Sequence, residues 1–308
     1  MKRTFAFIFL FFCALSPNYS QIKSLKWVPF YWQADTISGK IIDKAYIYIP
    51  IQIDFLPNRF SMQLDLGTPD TQFYGKTIQP ILKRYPTLAK KLSSYNQHKN
   101  IIFKGVNIQM GGINHTINIW NRNDFGEEIS TDLLKSNSPI HIGTIASDFF
   151  RDKVLIIDYK LNRFAINDYL PTEFSKLPSV KFELVNGLIV FQLEIDGVKR
   201  RVMFDTGSSV FPLATSKENA YKISNHKIID SLSGPLWWGE NITFYALNVN
   251  RPIKFNSKRI ENSIVYYDKD GLWEKNIFKP LNIWGLTGNA FFLDRTIVID
   301  FKNKLFII

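Results

Sequence analysis

The stretch Ile49 to Thr68, IPIQIDFLPNRFSMQLDLGT, alternates apolar and polar positions with the two-residue period of a half-buried strand, breaks at a turn, and resumes as a second strand. The same pattern returns at Ile189 to Ser208, IVFQLEIDGVKRRVMFDTGS. Ile53-Asp54 and Ile195-Asp196 stand 142 residues apart, while Asp65 and Asp205 stand 140 apart because the first turn is two residues longer. A second repeat follows each hairpin. Gly143 to Ile166 aligns without gaps onto Gly285 to Ile308, so that Phe149-Phe150 matches Phe291-Phe292 and Ile157-Asp158 matches Ile299-Asp300. Each copy reads as a loop, a short helical turn at the paired phenylalanines, a strand such as Val154 to Ile157 or Thr296 to Ile299, a tight polar turn and a closing strand. Two hairpins and two terminal units in the same order imply duplication of one β-rich unit. The divider falls in NDYLPTEFSKLP, residues 167–178, where two prolines interrupt the strand pattern. Lys76 to Ser94 carries a helical spacing at Ile78, Ile81, Leu82, Leu88 and Leu92, predicts one or two short helices broken at Pro86, and has no evident counterpart in the second half.

Length and composition sharpen this picture. At 308 residues, 45% hydrophobic and 15% aromatic, the chain exceeds the usual size of a single core and suits two domains, residues 21–174 and 175–308. Lys2-Arg3, the apolar run Phe5 to Leu15 and the small residues before Ser20 have the parts of a secretory signal peptide over residues 1–20. The expected location is therefore secreted or periplasmic. The run is too short to span a membrane, and no later stretch is long and uncharged enough to do so. Cys13, the only cysteine, lies in the signal, so the processed chain is expected to have no disulfide, cysteine nucleophile or cysteine-bound metal. Lysine and arginine outnumber acids 38 to 27, giving a net charge of +11. Without a basic block, zinc-finger spacing or aromatic RNA-binding motif, that excess reads as solubilising surface charge, and no nucleic-acid partner is expected.

The chemistry concentrates where the two hairpins end, at Asp65-Leu66-Gly67-Thr68 and Asp205-Thr206-Gly207-Ser208. A carboxylate at the end of a buried strand is costly unless hydrogen-bonded or functional. Glycine two residues on permits a tight turn and leaves the backbone open to a nearby carboxylate. These loops resemble those of the pepsin-like and retropepsin-like aspartic peptidases, whose two lobes each give an Asp-Thr/Ser-Gly loop to one active site. The resemblance spans about Ile47 to Ile308. It implies a mostly β pepsin (acid protease) fold of two homologous β-barrel-like lobes with a few short helices, and an active-site cleft between them. It also implies that Asp65 and Asp205 are catalytic, supported by Gly67, Thr68, Thr206, Gly207, Ser208 and Gly288, the last in the Leu286-Thr287-Gly288 element that packs beneath the loop. No metal or cofactor is required. Thr68 and Ser208 are expected to bond the outer carboxylate oxygens and draw the titration downward.

The first half departs from the family pattern at Leu66, which lacks the hydroxyl that Thr206 has, and at Ala146, which stands where the second half has Gly288. Tyr95 is the candidate for a flap tyrosine, in a polar loop. In SGPLWWGENITFY, the tip Trp237-Trp238-Gly239 is a candidate to close over a bound chain, although paired tryptophans more often pack in cores. His98, His115, His141 and His226 show no metal spacing and read as loop or surface residues. No G-x-S-x-G elbow makes Ser208 a nucleophile. The leading expectation is an exported aspartic endopeptidase acting on peptide or protein substrates as a monomer. The alternatives are a catalytically lapsed member of the same fold that binds peptides, and a secreted β-rich module unrelated to peptidases.

Overall fold

A computed structural model describes residues 25–95, 100–110, 112–237, 239–260 and 263–308. The protein is mostly β, with two sheets and few helices. The expected signal at residues 1–20, with Cys13, lies outside the described residues. Among the described residues no helix is long and apolar enough to cross a membrane.

The first half begins with β1 (Val28–Pro29), β2 (Tyr31–Ile37), β3 (Lys40–Ile53), β4 (Phe60–Leu64) and β5 (Gln72–Tyr74). Helices α1 (Gly75–Arg84) and α2 (Pro86–Ala89) follow, then β6 (Leu92–Tyr95), β7 (Asn100–Met110) and β8 (Ile113–Arg122). It closes with α3 (Thr131–Lys135), β9 (Ile140–Ile145), β10 (Val154–Asp158) and β11 (Arg163–Asn167). The second half begins with β12 (Ser179–Val185), β13 (Leu188–Ile195), β14 (Val198–Phe204) and β15 (Leu213–Thr215). Helix α4 (Lys217–Lys222) precedes β16 (Ser224–Trp237), β17 (Glu240–Val249), β18 (Ile253–Phe255) and β19 (Lys258–Ile260). Last come β20 (Ile264–Asp268), β21 (Gly285–Thr287), β22 (Thr296–Asp300) and β23 (Leu305–Ile307).

The repeat in sequence is a repeat in pairing. Strand β4 lies antiparallel to β3 and parallel to β9, and β14 lies antiparallel to β13 and parallel to β21. Strand β5 runs antiparallel to β9 and parallel to β8, as β15 does to β21 and β20. The hairpins β6–β7 and β16–β17 correspond in the same way. In β3 the alternation read from the sequence places Ile47, Ile49, Ile51 and Ile53 in the core. The second hairpin turns tightly through Asp196 and Gly197, both at positive φ (50° and 76°), as a two-residue loop requires.

The helical expectation for Lys76 to Ser94 is met as far as Ala89 by α1 and α2, with Pro86 at the start of α2, and is corrected beyond it, where Leu92, Ser93 and Ser94 lie in strand β6 and pair with β7. That this segment lacks a counterpart is corrected by α4, which follows β15 as α1 follows β5. Its six residues are too few to show a helical period.

The two halves meet along β10 and β22, antiparallel with Ile156 opposite Val298. Leu155 and Ile157 face the large core that continues through both halves, while Val154 and Ile156 face a smaller cluster with Ala165, Val298 and Ile307. A further contact was not legible in the sequence. The β2–β3 hairpin reaches the second half, where Ile37 (6% exposed) joins an apolar cluster with Leu232, Phe244 and Trp273. At its turn, Ser38 Oγ donates to Ser233 O at 3.0 Å and accepts from the Ser233 N–H, and Lys40 pairs with Asp230.

Candidate active site

Asp65 and Asp205 end the twin strands β4 and β14, and their carboxyls are hydrogen-bonded to one another at the floor of a cleft of about 1020 Å³. The backbone holds them identically. Asp65 N–H donates to Ile145 O and Asp205 N–H to Thr287 O, each at 2.9 Å, so each loop hangs from the end of its parallel neighbour, β9 or β21. The glycines explain themselves by contact. A Cβ on Gly67 would overlap the Asp205 carboxylate, and one on Gly207 would sit 2.5 to 2.8 Å from the Asp65 carboxylate. Each carboxylate therefore packs on the bare backbone of the opposite loop, which only glycine permits.

The carboxylates differ in what they receive. Asp205 accepts from Gly207 N–H (2.7 Å), Ser208 N–H (3.2 Å) and Ser208 Oγ–H (2.7 Å). Asp65 accepts from Gly67 N–H at 3.0 Å. Thr68, expected to support Asp65 as Ser208 supports Asp205, has its Oγ1 accepting from Gln72 Nε2 at 3.0 Å. Both carboxyls are nearly excluded from water, at 8% and 9% exposure. Burial pushes both up from the usual carboxylate range, Asp65 further because the Asp205 charge stands beside it. The expected downward pull operates at Asp205 but is outweighed by desolvation. The upward push is stronger at Asp65, and the contact disfavours ionising both carboxyls at once.

Thr206 Oγ1 crosses between the halves, donating to Leu64 O at 2.8 Å and accepting from Leu66 N–H at 2.9 Å. No reciprocal hydroxyl comes from Leu66, whose fully buried side chain belongs to the main core. Gly288 is forced: its Cβ would collide with Ser208 O, and its N–H donates to Phe211 O at 2.8 Å. Ala146 is not the simple loss expected of it. Its N–H donates instead to Thr71 Oγ1 at 3.1 Å, and Thr71 in turn donates to Asp148 through its hydroxyl (2.6 Å) and N–H (3.1 Å). A side-chain hydroxyl thus occupies the place of the backbone carbonyl and leaves room for the Ala146 methyl.

The walls hold residues that the motifs did not flag. On the Asp65 side, Tyr48 stacks on His141 (4.0 Å between centroids, 2°) and Tyr74 meets the same ring edge-on. Tyr74 also shares a hydrogen bond with Thr144 Oγ1 at 2.7 Å. Burial pushes the Tyr48 phenol up to about 12 and the His141 imidazole down to about 4, so both rings are neutral near pH 7. Expected as loop or surface residues, His115 in β8 and His226 in β16 are strand residues with partly exposed and exposed side chains, the latter stacked on Tyr221; His141 in β9 is the correction, a strand residue largely buried in the cleft wall, and His98 lies outside the described residues. On the Asp205 side stand Leu188, Met203, Trp273 and Leu286. Alternation in β3 and β9 marks Tyr48 and His141 only as partly buried positions. Which of them face a cleft depends on pairing across the sheet.

The hairpin expected around Trp237 and Trp238 is β16–β17, and Gly239 at its turn lines the cleft. Trp237 ends β16, and Trp238 lies outside the described residues. Tyr95 ends β6, beside residues 96–99, which also lie outside them. Among the described residues no group of three or more His, Cys, Asp or Glu is arranged to hold a metal ion. The chain matches no protein-family model and no curated protein at a significant level.

Proposed function

We propose that this chain is an exported aspartic endopeptidase of two pepsin-like lobes, which hydrolyses peptide bonds with water activated by Asp65 and Asp205. The observation that carries this reading is the hydrogen-bonded carboxyl pair, held by twin loops at the floor of an open cleft. Two buried carboxyls in contact share one proton over a wide pH interval because the second ionisation places like charges together. Asp205, with three donors, is the ionised partner and takes a proton from water as it attacks the scissile carbonyl. Asp65 gives its proton to the carbonyl oxygen as negative charge develops there. The tetrahedral intermediate then collapses as Asp205 gives the proton it took from water to the leaving amine and Asp65 takes back the proton on the former carbonyl oxygen, which restores the pair.

Two observations favour the second reading, a peptide-binding protein of the same architecture that does not cut. Leu66 offers no hydroxyl to Thr206's half, and Thr68 is engaged with Gln72. Incubation of residues 21 to 308 with a mixed peptide library across pH 3 to 8 separates the two. Cutting that disappears in both Asp65→Asn and Asp205→Asn is the expected result. A folded protein that retains peptides without cutting them would establish the binding reading.

A further inference from the structure

The cleft walls are chemically unequal. Beside Asp205 the lining is apolar, with Leu188, Met203, Trp273, Ile277 and Leu286. Beside Asp65 it is mixed: Tyr46, Tyr48, Tyr74, His141 and Glu127 stand among the apolar Phe125, Ile129, Leu133 and Ile140. The charges are unequal as well. Lysine and arginine outnumber acids across the chain, yet no lysine or arginine lines the cleft among the described residues, whereas three carboxyls do: Asp65, Asp205 and Glu127. The three carboxyls give the cleft an acidic lining that no lysine or arginine among its described residues offsets. Arg122, whose guanidinium lies over the Phe125 ring at 5.2 Å, acts on Asp65 through space without lining the cleft.

Glu127 is also held in place. Gly126 before it has φ +86°, and a Cβ there would meet Tyr74 Cβ at 2.6 Å, so the loop is pressed against the strand leading from the Asp65 loop. Thr77 Oγ1–H donates to Glu127 O at 2.8 Å and Lys76 N–H to Phe125 O at 3.1 Å. The backbone is fixed, the side chain is exposed, and no cation among the described residues pairs with it. Tyr48 lies close enough for the Glu127 charge to act on its phenol. A carboxylate on a pinned loop, next to tyrosine rings, is a receptor for an ammonium or guanidinium group.

We infer that the cleft selects peptides carrying lysine or arginine on the Asp65 side and a bulky apolar residue on the Asp205 side, with Glu127 as the residue that reads the base. This rests on the proposed peptide-binding cleft, and its test does not require turnover. Immobilised Asp205→Asn protein is offered a mixed decapeptide library, and retained peptides are sequenced by mass spectrometry beside the double variants Asp205→Asn/Glu127→Gln and Asp205→Asn/Glu127→Lys. Retained peptides are expected to be enriched in lysine or arginine by about two- to fivefold at low salt, as for an exposed charge pair. The enrichment shrinks as salt rises, vanishes in the glutamine variant and turns to glutamate and aspartate in the lysine variant. Equal enrichment with and without Glu127, or no retention by any folded variant, overturns the inference. Wild-type cleavage read on the same library separates the two claims. Cutting without basic selectivity removes the role of Glu127 and leaves the peptidase, while Glu127-dependent selection without cutting removes the peptidase and leaves the role of Glu127.

Discussion

The loops at Asp65 and Asp205 share a backbone and differ in their supports. Both aspartates end a strand, both hang from the neighbouring parallel strand by a 2.9 Å bond, and both are covered by the glycine of the other loop. Yet, apart from the bond between the two carboxyls, Asp205 receives three hydrogen bonds from its own loop where Asp65 receives one, and among the described residues the hydroxyl that crosses between the loops is that of Thr206. The comparison teaches that a duplicated site can keep its geometry while its halves divide the chemistry. Asp205 is the better hydrogen-bonded carboxyl, and the upward push on its titration is smaller than on Asp65.

The largest effect is expected from erasing the charged partner. In Asp205→Asn, peptide cleavage should fall on the order of a thousandfold or more, the range of a lost general base, with the folded circular-dichroism spectrum kept. Gly67→Ala attacks the same geometry from the opposite loop, because its methyl overlaps the Asp205 carboxylate. A loss in kcat of about a hundredfold is expected, that of a carboxyl displaced by an ångström.

Thr206→Val removes both crossing hydrogen bonds and leaves the Leu66 N–H and Leu64 C=O unpaired in the core. It should cost about 1–3 kcal/mol in urea denaturation. Leu66→Thr does not restore symmetry, since Leu66 fills a buried apolar site. A loss of about 1–2 kcal/mol with no gain in activity is expected.

The titration asymmetry gives two smaller tests. Ser208→Ala removes one donor from Asp205, disfavours its charged form, and should move the acidic limb of the pH–rate profile upward. Both carboxyls titrate higher in the folded chain than in the unfolded one, so the folded state holds their protons more tightly. The stability they confer is complete below the unfolded aspartate value of about 3.9 and is lost as pH rises through the folded values. Asp65→Asn should therefore melt higher than wild type at pH 7, with the gap closing towards pH 3. The smallest effect is expected at the hairpin contact, where Asp230→Asn removes an exposed ion pair with Lys40 and should change stability by about 1 kcal/mol or less.

The aspartate loops and their duplicated hairpins were legible because strand alternation and Asp-x-Gly recur at nearly constant offsets. Ser208 was placed correctly from its spacing alone, three residues after Asp205. The identical spacing misled at Thr68, whose hydroxyl oxygen accepts from Gln72 Nε2, a contact four residues on that no Asp-x-Gly pattern records. Ala146 read as a missing glycine, whereas Thr71 and Asp148, distant in sequence, rebuild the support around it. Tyr48, His141 and Glu127 had no motif to mark them. Their place in the cleft follows from a strand edge and a loop contact that no local pattern records.

The ladder between the halves has one more consequence. Ile156 pairs with Val298, its own counterpart at the 142-residue offset, and the ladder runs antiparallel outward from there, Val154 with Asp300 and Asp158 with Thr296. A strand that meets its own duplicate in this way lies on a local two-fold axis, the pairing that two separate copies of one unit would make as an isologous dimer. The covalent chain between residues 167 and 179 thus joins what symmetry already places together. Freed from that link, a half-chain presents an edge strand whose natural partner is a second copy of itself.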